Sequence, residues 1–428
     1  MVAIEVLYKQ YLTAGSVTTD TRQLAPGAIF FAIRGPHFNG NRFAAEALEK
    51  GASYVVIDDP AYAIPSSACI LVKDSLTTLI QLAGYHRSQY NGPVIAITGS
   101  YGKTTTKELI YTVLQTTYKT VATKGNLNTP IGVALTLLSL QQDTQIAVVE
   151  MGATQPGDIA LCCTIARPTH GMITAIGAAH LEGFGNITGV IQGKSELYDY
   201  LYATGGTVFL NSLDPLLSTI SKRFAQLITY PGPNDFAPLE LVGEEPYLRY
   251  KSSEGKEYTT HLLGKPHINN IAAALCVAKY FNIPAAHEAI QAYIPTNQRM
   301  QLMVKGSNQL IIDSYNASPA SVQAALDALL QLKVRYRIVI LGDMAELGNQ
   351  TTAWHHKIVQ QLCQPCYDQI LLCGPFFSFA DRKQPNILCF PTKSALENYL
   401  DSHTYQDSGI LLKAANGMAI DTLVDQLE

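Results

Sequence analysis

Residues 98–106 read Thr-Gly-Ser-Tyr-Gly-Lys-Thr-Thr-Thr, a run that brings backbone freedom, a cation and hydroxyl groups together. Gly99 and Gly102, with Ser100 between them, let the chain curl so that several N–H groups point at one anion. Lys103 is placed to reach β- and γ-phosphates, and Thr104 or Thr105 can ligate Mg²⁺. The spacing departs from the common G-x-x-x-x-G-K pattern, because Ile97 stands where the first glycine would be. The setting compensates: the apolar run Val94-Ile95-Ala96-Ile97 precedes the turn and the helix-like Lys107-Glu108-Leu109-Ile110 follows it. A buried strand, a glycine turn and a helix N-terminus form an anion site. The segment therefore predicts binding of nucleotide phosphates, with ATP as the ligand.

Three further residues carry candidate chemistry. Glu150 closes the apolar run Ala147-Val148-Val149 and is a candidate Mg²⁺ ligand or, alternatively, a helix-capping carboxylate. His180 stands in the glycine-framed stretch 177–185, where an isolated histidine is by itself a surface or packing residue. Lys194, in Gln192-Gly193-Lys194-Ser195-Glu196, reads as a solvated lysine beginning a helix. Cys363-Gln-Pro-Cys366 has metal-like spacing near His355 and His356, but no second pair follows, so no zinc site is expected.

The elements that must position these residues fall into three blocks, predicted as domains at 1–91, 92–296 and 297–428 in a chain of 428 residues. The first has apolar runs at 28–33, 54–57 and 69–72 with helix patterns at 41–50 and 75–90, and ends on the turn signal Asn91-Gly92-Pro93. In the second, strand candidates at 94–98, 119–123, 145–151, 170–176 and 207–211 alternate with helical stretches. That alternation predicts an α/β fold with a parallel sheet covered on both faces and ligands at the strands' carboxyl ends. A more β-like insertion at 227–263 and a helix at 267–281 follow. The third block repeats the alternation, with strands expected at 310–312, 337–341, 369–373, 387–390 and 409–412, and has no phosphate loop.

Composition narrows the function class. A net charge of −4 argues against a sequence-independent nucleic-acid binder. No apolar stretch approaches the roughly 20 residues that span a bilayer, and no basic-then-apolar leader opens the chain. The eight cysteines, with Cys162, Cys163 and Cys276 in apolar helical contexts, read as core packing in a reducing compartment. A cytoplasmic protein without membrane insertion is expected.

Taken in order, the motifs resemble those of the Mur ligases of peptidoglycan synthesis, end to end. The similar segments are Asp20-Thr21-Arg22 with 27–35, the 98–106 loop, 125–132, Glu150-Met151-Gly152, 179–185, Asp313-Ser314-Tyr315-Asn316-Ala317-Ser318-Pro319 and 341–348. The last two resemble the family's branch that adds D-Ala-D-Ala, and the D-N-P-R motif of the meso-diaminopimelate-adding branch is absent. The resemblance implies a small α/β N-terminal domain binding the UDP substrate, a central P-loop ATPase domain and a C-terminal Rossmann-like α/β domain. It implies ATP-dependent joining of D-Ala-D-Ala to UDP-MurNAc-tripeptide through an acyl phosphate, by a monomer, with ATP and Mg²⁺. It further implies Lys103, His180 and a carbamylated Lys194 as catalytic, and Thr104, Glu150, His180 and Lys194 around two Mg²⁺ ions. Asn270 is implied against adenine, Arg299 at the phosphates, Asp313 at the ribose, and Thr21, Arg22, Asn128 and Thr129 at the UDP-muramoyl-peptide.

Departures from the family pattern are Tyr101 for asparagine, Pro266-His267 for His-Asn, Asn39 for aspartate and Ala414-Ala415-Asn416 for Gly-Ser-Arg. Two other readings stay open at this point: a sister ligase adding a single amino acid, and a nucleotide-gated binding protein without catalysis.

Overall fold

The computed structural model describes residues 3–364, 367–378 and 384–427; Cys366 of the metal-like cysteine pair lies outside them. Three α/β bodies follow one another, each around its own largely parallel sheet.

The central sheet has six parallel strands in the order Ile228–Tyr230, Thr207–Asn211, His170–Ile173, Val94–Thr98, Ile146–Glu150, Thr120–Ala122. Val94–Thr98 is apolar throughout because both its faces are covered: Ile95 and Ile97 pack with Leu109 and Ile110, Val94 and Ala96 with Leu137 and Leu201. The chain leaves this strand toward one side of the sheet and later returns on the other. The phosphate loop thus opens at the topological switch point, where open α/β sheets bind ligands. A three-stranded antiparallel sheet, Glu240–Gly243, Tyr247–Lys251 and Glu257–Leu263, forms the β-like insertion.

The first body's parallel strands Val17–Thr18, Ile29–Phe31, Tyr54–Ile57 and Cys69–Leu71 share a core with the central one. The helices Ile4–Ala14 and Ser75–Ser88 make that joint. The Tyr11 hydroxyl donates to Leu138 O at 2.6 Å, and the buried Arg87 guanidinium donates to Ala166 O and Arg167 O at 2.7 and 2.8 Å. The first of these helices was absent from the sequence reading, although Leu7 and Tyr11, the two residues it buries, stand four apart.

The third body has six strands in the order Gln301–Lys305, Asn308–Asp313, Ser408–Lys413, Tyr336–Gly342, Gln369–Cys373, Ile387–Phe390, parallel except for the first pair. Leu263 of the central insertion enters its core beside Met300 and Ile311, so the third body is seated on the second. Leu411 lies at the middle of this sheet and is fully buried; Leu411→Ala is expected to cost about 2–5 kcal/mol, read from denaturant unfolding of the full chain. No described helix is long and apolar enough to cross a membrane.

Candidate active site

Two glycines shape the phosphate loop. Gly99 has φ +145° and a Cβ there would stand 2.2 Å from Thr174 Oγ1; Gly102, with φ +79°, would press on the Asn270 amide. The helix Lys103–Leu114 starts at once, so its free N–H groups face the loop's hollow. The Lys103 ammonium donates to Gly99 O at 2.7 Å. It is only partly accessible along the cleft, and loss of hydration pushes it below its ordinary value; the Glu150 carboxylate opposes this, Arg299 adds to it and Glu346 opposes it.

Tyr101, the departure inside the loop, finds room because residue 177 is glycine. A Cβ on Gly177 would lie 2.5 Å from the ring. The Tyr101 hydroxyl donates to Ala178 O at 2.9 Å, and its carbonyl accepts from the Thr174 hydroxyl. Ser100 Oγ and Gly177 exchange hydrogen bonds at 3.0 and 3.1 Å. These bonds tie the phosphate loop to the stretch carrying His180. Tyr101→Phe is expected to cost at most about 1 kcal/mol and to leave kcat within about threefold, by thermal melts and steady-state rates.

Glu150 is fully buried at the carboxyl end of its strand, one strand over from the loop. Its Oε1 accepts from the Thr104 hydroxyl at 3.1 Å and from Asn128 Nδ2 at 2.8 Å, while Oε2 is buried with no partner among the described residues. A carboxyl oxygen left unpaired inside a protein is costly. Its position beside a hydroxyl and a phosphate loop fits a hard divalent cation. No group of three or more His, Cys, Asp or Glu able to hold a metal occurs among the described residues. A cation here would complete its shell with hydroxyl, water and phosphate oxygens, which is the habit of Mg²⁺. Thr129 caps the helix Pro130–Leu137 directly after Asn128.

Lys194 corrects the sequence reading. It stands in the middle of the helix Ile187–Thr204, fully buried, not solvated at a helix start. Its Nζ donates to Ala153 O at 3.2 Å and lies 5.4 Å from the Phe184 ring. Gly193 is required beside it, since a Cβ there would meet that ring at 2.4 Å. Burial, helped by the nearby Lys103 charge, pulls the Lys194 ammonium down to about 7.

Residues from beyond the central sheet complete the cleft. Asn270 sits under Gly102 with both amide ends engaged, Oδ1 accepting from Thr106 Oγ1 at 3.1 Å and Nδ2 lying 3.0 Å from His267 Nδ1; these contacts brace the phosphate loop. Burial depresses His267 to about 4, so it is neutral. The Arg299 guanidinium lies 3.7 Å over the Tyr315 ring. Asp313 accepts from Met300 N at 3.2 Å and pairs with the buried Lys413 at 2.5 Å, a partner 100 positions away. From the third body Glu346 Oε2 reaches His180 Nδ1 at 2.8 Å. Neither Glu346, inside the 341–348 segment, nor Lys413, directly before the Ala414-Ala415-Asn416 departure, is marked out by the sequence alone. Thr21 and Arg22 stay in the first body, Thr21 donating to Glu46 and the exposed Arg22 paired with Asp20 at 2.7 Å.

A nucleotide-phosphate loop on a parallel sheet, with a third α/β body meeting it across a cleft, defines a class of multidomain ATP-using enzymes. Three family descriptions match the chain: "Mur ligase family, catalytic domain" at residues 14–80, "Mur ligase middle domain" at 97–278 and "Mur ligase, glutamate ligase domain" at 298–416. The chain belongs to the Mur ligase family. It is 32% identical over 434 residues to the UDP-N-acetylmuramoyl-tripeptide--D-alanyl-D-alanine ligase of Bacillus subtilis (strain 168), covering 98% of this chain and 94% of that one. A crystal structure of MurF from Acinetobacter baumannii matches with TM-score 0.84 at 28% identity, over 98% of both chains. MurF ligase from Thermotoga maritima, solved in complex with ADP, matches with TM-score 0.83 at 25% identity over 97% of both.

Proposed function

We propose that this chain joins D-Ala-D-Ala to UDP-MurNAc-tripeptide at the expense of ATP, giving UDP-MurNAc-pentapeptide. It is an ATP-dependent ligase of peptidoglycan synthesis. The observation that carries this reading is likeness over nearly the whole chain to ligases named for that reaction.

A carboxylate is a poor electrophile, so it is activated first. Its oxygen attacks the γ-phosphorus of ATP, the bond to the β,γ-bridging oxygen breaks, and ADP leaves an acyl phosphate. The loop N–H groups and Lys103 hold the phosphates and meet the charge that develops. The ammonium of D-Ala-D-Ala gives up a proton to solvent, the free amine attacks the acyl carbon, and the tetrahedral intermediate loses a second proton to solvent and expels phosphate, leaving the amide. The third body, seated on the central one at Leu263 and reaching His180 through Glu346, is placed to keep water from the acyl phosphate.

Thr104 and the unpaired Glu150 oxygen would hold one Mg²⁺, and His180 with a carbamylated Lys194 a second. Bound Mg²⁺ neutralises phosphate charge during transfer. Lys194 suits carbamylation, because an amine near 7 is partly neutral at physiological pH and can add to CO₂. Residues 1–91, with Thr21 and Arg22, take the UDP end of the substrate; 92–296, with Asn128 and Thr129 toward the peptide, take ATP; 297–428 close the cleft with Arg299 and Asp313. The chain works as a cytoplasmic monomer.

Mass analysis of products from UDP-MurNAc-tripeptide, ATP and either D-Ala-D-Ala or single amino acids tests the assignment. A pentapeptide with the dipeptide alone is expected; a tetrapeptide from a single amino acid would move the chain to a sister ligase.

A further inference from the structure

Among the described residues, the third body brings to the cleft beside the phosphate loop one carboxylate, Glu346, that no lysine or arginine pairs. Asp313 is neutralised by Lys413 at 2.5 Å, and the Arg299 cation lies over Tyr315. Glu346 touches His180 through Oε2, its other oxygen has no partner among the described residues, and its side chain is 45% exposed to the cleft.

The loop that presents it is built for the purpose. Glu346 is held at φ +63°, a conformation that costs a non-glycine residue energy. Two residues earlier, Met344 N donates at 3.0 Å to Nε2 of the buried His355, whose Nδ1 is anchored on Thr351 O at 2.7 Å. The carboxylate is thus fixed close enough to Lys103 that each charge acts on the other.

A fixed anion in this position repels nearly everything the reaction gathers: the nucleotide phosphates, the tripeptide carboxylate and the acyl phosphate. It is tolerable only if a cation stands beside it in the working complex. Lys103 is committed to the phosphates. The two Mg²⁺ ions assigned above to Glu150 and to His180 with Lys194 would likewise be committed to phosphate oxygens, so the remaining cation is the ammonium of the incoming dipeptide, which must dock within reach of the acyl carbon, beyond the γ-phosphate and on the third body's side.

We propose that Glu346 is the recognition point for the ammonium group of the acceptor dipeptide, and that His180 Nδ1 holds the donor position the ammonium takes. The proposal rests on the ligase reading above. Glu346 sets where the amine sits and so contributes to acceptor selection; a carboxylate there discriminates against acceptors without a cationic nitrogen.

The test compares wild type with Glu346→Gln in steady state, alongside inhibition by propionyl-D-alanine, which is the acceptor without its amine. KM for D-Ala-D-Ala is expected to rise roughly 30-fold or more, with KM for ATP and UDP-MurNAc-tripeptide within about twofold and Ki for propionyl-D-alanine unchanged. Glu346→Asp is expected to recover part of the dipeptide affinity. Equal losses for dipeptide and propionyl-D-alanine would overturn the proposal. So would a raised Mg²⁺ requirement at constant dipeptide KM, which would make Glu346 a support for His180 only. Should Glu346→Gln fail to fold, wild type decides: propionyl-D-alanine must bind roughly 30-fold more weakly than the dipeptide, and equal binding overturns the claim. Failure of wild type to use D-Ala-D-Ala at all would instead sink the ligase reading, and this proposal with it.

Discussion

Lys103→Ala is expected to lower kcat by about 1000-fold or more while the fold stays intact. The ammonium sits in the mouth of the phosphate loop, donating to Gly99 O at 2.7 Å, with Glu150 and Glu346 near enough to oppose the downward pull of desolvation. In the transfer step negative charge spreads over the γ-phosphoryl oxygens, and a fixed cation at low hydration stabilises that state by about 4 kcal/mol or more. Alanine leaves the loop's N–H groups in place, so nucleotide still binds, more weakly. Lys103→Arg is not a conservative repair, because a planar guanidinium does not reproduce the compact point charge that Lys103 brings to Gly99 O at 2.7 Å. Single-turnover ADP formation and nucleotide titration separate the two effects. A loss in nucleotide affinity with an unchanged rate at saturation would remove Lys103 from the transfer step.

Lys194→Ala is expected to lower kcat by about 100-fold or more and to be partly rescued by acetate or formate. Two roles compete for this side chain. As a buried amine it donates to Ala153 O and rests on Phe184, and its loss would open a cavity and reduce stability. As a carbamate it would present an anion to Mg²⁺, and its loss would remove a ligand. A small carboxylate diffusing into the space restores an anion but not the helix packing. Rescue that tracks carboxylate concentration without a change in melting temperature therefore supports the carbamate. Lys194→Arg is expected to resist rescue, since it refills the space with a permanent cation, and wild type is expected to lose activity in CO₂-depleted buffer. Activity loss that follows stability loss, with no rescue, would count against it.

The frame of the molecule was legible because its strands are continuous apolar runs between turn signals. Thr207–Asn211, Gln369–Cys373 and Ile387–Phe390 fall where the pattern placed them. Gln301–Lys305 was missed, and its burial shows why: it is an edge strand with no fully buried residue and Val304 70% exposed, so no periodicity marks it. The phosphate loop and Glu150 announce themselves locally, through glycine spacing and a carboxylate ending a strand.

Lys194 carried the opposite signal. Its neighbours Gln192, Ser195 and Glu196 are polar, and only the packing of its helix reveals the ammonium as buried. The Asp313–Lys413 pair and the reach of Glu346 to His180 are long-range facts, made when strands 100 residues apart become neighbours and when the third body meets the second. Tyr101 posed a steric question that only Gly177, 76 positions on, could answer.

Phosphate release from ATP, with UDP-MurNAc-tripeptide and D-Ala-D-Ala each omitted in turn, tests the central claim most directly. Release that requires both is expected, because the acyl phosphate forms only on the tripeptide carboxylate and is discharged only by the dipeptide amine. Release from ATP alone, or none with all components present and nucleotide bound, would contradict the ligase account.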